Sequence, residues 1–304
     1  MKNQTHSVLL TYLIAAGSSL FYCSKGVFVK SAYTYEVDAI TILTLRMLIA
    51  LPFFVVVALV AHRKRDPIPT LAWLQLAGFG FVGYYLSSII NFSGLQYVSV
   101  GLERIVLFTY PSIVIFLGLL LRRSRWDGRL LLPLFIAYGG IVIAYIGEAH
   151  GRGSLRETAL GVGLIFASAC TYAVFILFAG RLIREIGALR FTSLAMTFSA
   201  GYVLFHFAVV HQPASLLHFP SGVYLNGAIL ALFGTVIPAF LMGWGLQRAG
   251  PVKFAVIGTV GPVGTLVLAW IVLGEALNLG QLAGFFLSLS GGLAISLMRT
   301  REEK

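Results

Sequence analysis

Charge is scarce in this chain. Only 11% of its 304 residues are Asp, Glu, Lys or Arg, against roughly 25% in an ordinary soluble domain, and acids are the rarer sign, 11 against 22 Lys and Arg. So few charges cannot clothe a surface that meets water on every side, which excludes a soluble globular fold. Cysteine is nearly absent too. Cys23 and Cys170 both fall inside apolar runs, so no disulfide framework is indicated and the two read as small core residues. The signatures of common chemistries are also missing: no Gly-x-Ser-x-Gly, no His-Glu-x-x-His and no Gly-x-x-x-x-Gly-Lys-Ser/Thr. That argues against an intramembrane hydrolase or lipid-acting enzyme, a zinc site and an ATP-driven machine. His206 and His211, five apart, do not share a helical face. No catalytic residue, metal or cofactor is therefore expected. The formal charge of +11 does not indicate nucleic acid, because the arginines cluster in short gaps between apolar runs instead of forming a basic face interleaved with polar or aromatic readers.

Apolar residues dominate, at 58% with a mean hydropathy of +0.90. Stretches of about 20 apolar residues, the length that crosses a bilayer, run roughly over 8–30, 38–61, 70–91, 97–121, 130–147, 159–180, 188–210, 222–246, 252–273 and 279–298. Lys2 ahead of the first run resembles a signal peptide, but its length, Lys25 within it and the lack of a small-x-small cleavage site predict a retained span. The chain also repeats at its midpoint. Gly94-Leu95-Gln96 followed by Pro111 reappears 151 residues on as Gly245-Leu246-Gln247 followed by Pro262, with Gly139-Gly140 echoed by Gly291-Gly292 and Tyr22 by Tyr172. Five spans per half is an odd number, so the second copy must enter the membrane from the opposite side. The expected fold is all-α and polytopic: ten transmembrane helices in two inverted five-helix repeats, residues 1–149 and 159–304, joined by a charged, Gly-containing hinge over 150–158. With the N-terminus in the cytoplasm, most basic residues fall on that side, including Arg63, Lys64 and Arg65, the Arg122–Arg129 cluster, Arg181, Arg184 and Arg190. This bias predicts that both termini are cytoplasmic.

With spans placed, the chain resembles the EamA-type family of the drug/metabolite transporter superfamily, over most of its length. The residues that carry the likeness are Pro262, Leu273-Gly274-Glu275, Gln281, Gly284 and Gly291-Gly292 in the second half, and Lys30, Leu45-Arg46 and Ala50 in the first. Two places depart from the family pattern. Tyr22-Cys23-Ser24-Lys25 stands where the family often has Trp-Gly-x-Asn, and Leu121-Arg122-Arg123 stands where the first repeat would show Leu-Gly-Glu. The resemblance implies an inner-membrane exporter of amino acids or similar metabolites.

Candidate functional residues are those whose placement in lipid would be costly without a partner or cavity. At 1.5 Å per residue, Lys25 lies roughly 8 Å below the outer end of its span, Arg46 roughly 12 Å, and Glu103 and Arg104 roughly 8 to 10 Å. Lys25 either snorkels to the outer headgroups or faces a cavity with Tyr22, three residues away on the same face. Arg46 either contacts ligand or forms a structural ion pair with Glu103. Glu103 is expected to pair with Arg46 or Lys25, ahead of carrying protons, and to diverge from its neighbour Arg104. Tyr84, Ser87, Ser88 and Asn91 share one face of the third span, and Ser168, Thr171, Tyr172 and Phe175 one face of the sixth; such stripes either line a path or glue helices together. Trp244 between Gly243 and Gly245 is a binding plane or an interfacial anchor. Pro111 and Pro262 interrupt equivalent spans and are candidate hinges.

Lys25, Arg46, Tyr22, Tyr84, Asn91, Glu103, Tyr172 and Trp244 thus form the candidate substrate site. Cations together with aromatic rings suit a carboxylate-bearing metabolite, an amino acid above all, moved by alternating access on a gradient of a proton or another coupling ion. A transporter of sugar phosphates or nucleotide-linked sugars is the alternative; it would need several cations to match phosphates. The partners expected are a small-molecule substrate and the lipid bilayer. A single chain suffices for a pathway, and a dimer is also compatible.

Overall fold

A computed structural model describes Gly17, Leu20, Phe21 and residues 23–63, 67–121, 128–152, 154–241, 260–275 and 278–302. Among these residues every regular element is helical. Helix α1 covers 23–33, α2 Ala39–Arg63, α3 Thr70–Leu95 and α4 Val100–Leu120. Then come α5 Leu131–Arg152, α6 Leu155–Ile186, α7 Ala188–Val210, α8 Ser221–Leu241, α9 Val260–Leu273 and α10 Leu279–Glu302. Seven of these, α2 to α8, are long and apolar enough to cross a membrane, and α9 and α10 hold the shorter apolar stretches Gly261–Leu273 and Leu279–Ile295. Helix is what lipid permits here, since it satisfies every backbone donor and acceptor within the segment. The chain is an all-helical, multi-pass membrane protein.

Short polar residues mark where helices begin. Asp38 accepts from the Thr41 amide at 2.9 Å ahead of α2, and Ser99 accepts from the Leu102 amide at 3.1 Å ahead of α4. At α6, Ser154 accepts from the Glu157 amide at 3.3 Å, while the Thr158 hydroxyl donates to the Ser154 carbonyl at 2.9 Å. Ser154-Leu155-Arg156-Glu157 has the spacing of a capping box, so the break between α5 and α6 is tighter than the nine-residue connection expected from composition. Helix α5 runs on to Arg152 and α6 starts at Leu155.

Two long helices are locally underwound into π-helix, Gly80–Leu86 within α3 and Leu232–Val236 within α8. The repeat offset of 151 carries Gly83 onto Gly234, so the two segments occupy corresponding places. Their contacts correspond as well. A methyl group on Gly83 would overlap the Phe175 ring of α6, and one on Gly234 would come within 3.3 Å of the Lys25 Cβ of α1. Phe175 and Lys25 are themselves 150 residues apart. The wider packing follows the same rule: α3 lies on α7 as α8 lies on α2, while α2 and α7 face each other, as do α5 and α10.

Among the described residues the α5–α10 contact is the most extensive. It is a seam of small residues, in which added methyl groups would stand 2.5 Å from the Ser288 amide nitrogen at Gly140 and 2.6 Å from the Ala137 nitrogen at Gly291. In lipid, where tails solvate helices as well as leucines do, such close backbone approach is what holds helices together. A cluster of buried side chains from α1, α2, α7 and α8, including Val27, Ile42, Leu43, Met47, Val203 and Leu230, fills the middle of the bundle.

Candidate functional site

One face of α3 organises the site. Tyr84, Ser88 and Asn91 follow one another at helical spacing, and each touches a different partner. Ser88 accepts a hydrogen bond from Arg46 Nη2 of α2 at 3.3 Å, and the guanidinium lies 5.2 Å from the centre of the Phe92 ring. Arg46 is only 4% exposed. An aromatic face is a favourable surface for a desolvated cation, and a planar guanidinium is the side chain best shaped for two-pronged recognition of a carboxylate. Ser87, the neighbour of Ser88, serves the other function considered for this stripe. It meets Ser168 of α6 hydroxyl to hydroxyl at 3.1 Å, and Ser168 donates to the Ser87 carbonyl at 2.8 Å, which fastens α3 to α6.

One turn further, Asn91 donates to Glu103 of α4 at 2.8 Å. Glu103 is fully buried, and its ion pair is with Arg104, Nε to Oε2 at 2.8 Å, with Arg104 2% exposed. This corrects the expectation that residues 103 and 104 would diverge. Both side chains are long enough to fold back toward one another beside Gly26 of α1, where an added Cβ would stand 3.4 Å from Arg104 Nη2 and 3.5 Å from Glu103 Oε2. Two charges brought together in a dry interior offset the cost of desolvating each. Lys25 is half-buried and stands against the π segment of α8.

The third stretch is aromatic. Tyr84 meets Phe175 with ring centres 5.1 Å apart, Tyr172 stacks on Phe175 at 5.9 Å, and Tyr110 meets Tyr172 edge-on at 5.3 Å. Tyr84 and Tyr172 are therefore joined through Phe175, and Tyr110 is a member that the spacing patterns did not single out. A signal existed in Tyr110-Pro111: the chain leaves the helix at Phe108–Thr109, and α4 resumes with Pro111 in its first turn, turning Tyr110 toward α6. Pro262 lies in α9. Tyr22 and Trp244 lie outside the described residues.

An apolar helical bundle carrying this polar and aromatic interior defines a membrane transporter when set beside known proteins. The sequence profile of the EamA-like transporter family matches residues 9–146 and again 159–297, and the chain belongs to that family. It is similar to the uncharacterized transporter YcbK of Bacillus subtilis, 28% identical over 272 residues that cover 86% of this chain and 85% of that one. It is also similar to the uncharacterized transporter sll1319 of Synechocystis, 24% identical over 91% of this chain and 90% of that one. A solved crystal structure shares the fold at a TM-score of 0.65 and 16% identity, covering 96% of this chain and 97% of that one. The relatives are transporters, not enzymes.

Proposed function

We propose that the chain is a secondary transporter that exports amino acids, or related carboxylate-bearing metabolites, across the cytoplasmic membrane of a bacterium by alternating access. The reading takes ten spans as two inverted repeats, residues 1–149 and 159–304 about a hinge at 150–158, with both termini in the cytoplasm. The matching of Gly83–Phe175 with Gly234–Lys25 supports this symmetry. The observation that carries the substrate class is Arg46, a buried guanidinium resting on Phe92 and bonded to Ser88, one helical turn from Tyr84 and its aromatic neighbours. A carboxylate would meet the guanidinium, and an apolar side chain would lie toward the rings. Lys25, Asn91, Glu103 and Tyr172 complete the proposed lining, together with Tyr22 and Trp244, and Pro111 and Pro262 are the proposed hinges. The two repeats enclose a path within one chain, and a gradient of protons or another ion supplies the drive.

The test is transport by purified protein in liposomes. Labelled amino acids move down an imposed gradient without ATP, and Arg46→Ala abolishes that movement while the variant is still recovered folded from the membrane. Failure across all amino acids together with exchange that depends on phosphate would replace this substrate class with phosphorylated sugars.

A further inference from the structure

Two carboxylates outside this site converge on the start of α4. Glu148, near the end of α5 and 1% exposed, accepts from the Ser99 amide at 2.6 Å and from the Ser99 hydroxyl, and Gln281 of α10 donates to it at 2.8 Å. Glu275, just after α9, accepts from the Val100 amide at 3.1 Å and pairs with Lys30 of α1 at 3.5 Å. Lys30 also donates to the Val98 carbonyl. The cluster sits beside the rigid α5–α10 seam, where Asn278 donates to the Gly147 carbonyl at 2.7 Å and exchanges backbone and side-chain hydrogen bonds with Gln281 at 2.8 Å. The ends of α1 and α4 are thereby moored to a scaffold in which Glu275, Asn278 and Gln281 come from the second half of the chain.

We propose that Glu148 and Glu275 are the fixed side of a latch, and Lys30 with the Ser99–Val100 amides its moving side, which closes the non-cytoplasmic end of the transport path and opens once in each cycle. The proposal rests on the alternating-access reading above. Three observations carry it. The mooring is polar, so its groups can exchange protein partners for water when the end opens, at less cost than separating an apolar seam. It is one-sided in sequence: the repeat offsets carry Lys30, Glu148 and Glu275 onto Gly180, Thr300 and Arg123, so the counterparts of the two carboxylates are not acidic. It is also joined to the site by a single helical turn, because the Glu103 amide donates to the Ser99 carbonyl at 3.0 Å, and Glu103 holds Asn91. A ligand that shifts α3 or α4 at Asn91–Glu103 therefore pulls directly on Ser99 and Val100.

Two experiments in a chain carrying Cys23→Ala and Cys170→Ala test this. In Lys30→Cys/Glu275→Cys, a short reversible bis-methanethiosulfonate cross-link is expected to cut uptake of labelled phenylalanine by tenfold or more (about 1.4 kcal/mol per tenfold), with recovery on reduction. Unchanged uptake in the cross-linked protein overturns the latch. The second experiment needs no substrate. A cysteine placed at Ser88 is labelled by a membrane-impermeant thiol reagent added outside, and Glu148→Gln with Glu275→Gln is expected to raise that labelling about tenfold; an unchanged rate overturns the latch. Failure of the alternating-access reading looks different: the cysteine at Ser88 in the otherwise latched chain would be labelled at the same rate from both faces of the membrane.

Discussion

The π segment of α3 packs its glycine against Phe175, and the π segment of α8 packs its glycine against Lys25. The backbone device is the same and the side chain it meets is not. Around the first, aromatic rings crowd together as Tyr84, Phe175, Tyr172 and Tyr110; around the second stands a cation. Arg46 shows the same contrast, since Leu45 and Met47 on either side of it recur as Leu194 and Met196, which sets Ala195 as its counterpart in the other half. The family profile matches the chain twice, and the two halves share a backbone device while differing in the side chains around it.

Breaking the charged side of this contrast should have the largest effect. Arg46→Ala is expected to lower amino-acid transport in liposomes by about 100-fold, the scale of losing a desolvated charge contact. The reciprocal Ala195→Arg puts a second cation into the bundle and is expected to reduce the yield of folded protein, as read by gel filtration in detergent. Making the halves alike at the π segments should cost less function and little stability: Lys25→Phe is expected to lower transport about tenfold with a melting temperature close to that of the parent.

Glycine substitutions sharpen the comparison in the opposite direction. Gly83→Ala forces a methyl group into the Phe175 ring and is expected to destabilise by about 1–3 kcal/mol, in the range of an overpacked core. Gly234→Ala meets the Lys25 Cβ at 3.3 Å, with Leu230 Cδ2 at 3.6 Å and the Lys25 Cα at 3.8 Å in ordinary contact. It gains up to about 1 kcal/mol of helix propensity, and thermal unfolding should place it within about 1 kcal/mol of the parent. If the two variants unfold alike, the two π contacts are not equivalent in the way their geometry indicates.

The smallest effect concerns the facing pair α2 and α7, which meet at one end through Asp38 and His211 at 2.7 Å. Partial burial alone would raise the Asp38 carboxyl, but hydrogen bonds from Thr41 and His211 and the nearby imidazole outweigh it and hold the group below the ordinary carboxylate value. A depressed folded value stabilises above the unfolded pKa, near 4, and that contribution fades as pH falls through the folded value. The pair is exposed enough that the effect is at most about 1 kcal/mol. Melting curves of the parent should therefore fall toward those of Asp38→Asn as pH drops from 7 toward 3.

The membrane character and the family were legible because both rest on runs of residues: apolar stretches of fixed length, and motifs such as Leu273-Gly274-Glu275. The partner of Glu103 was not, since the spacing of two neighbours on an ideal helix says nothing about how far long side chains bend. Nor were the π segments, although Gly83 and Gly234 stand at the repeat offset; a glycine in an apolar run signals close approach without saying what approaches. Gly139-Gly140 and Gly291-Gly292 were visible as echoes, yet only the structure distinguishes Gly140 and Gly291, pressed into the seam, from Gly139, which has nothing within 4 Å of an added methyl. The capping signature at Ser154 was present in the sequence and would have shortened the expected connection.

The underwound turn of α3 carries a message about heredity as well as shape. It holds one more residue than the same rise of ordinary helix would take, so deleting a single residue from Gly80–Leu86 would let the helix relax and close without breaking. Everything beyond would then keep its register, with Ser88 still facing Arg46 and Asn91 still facing Glu103, whereas the same deletion elsewhere in α3 would turn the residues beyond it by about 100°. In this stretch the loss of one codon would leave the rest of the rod meeting the partners it meets now.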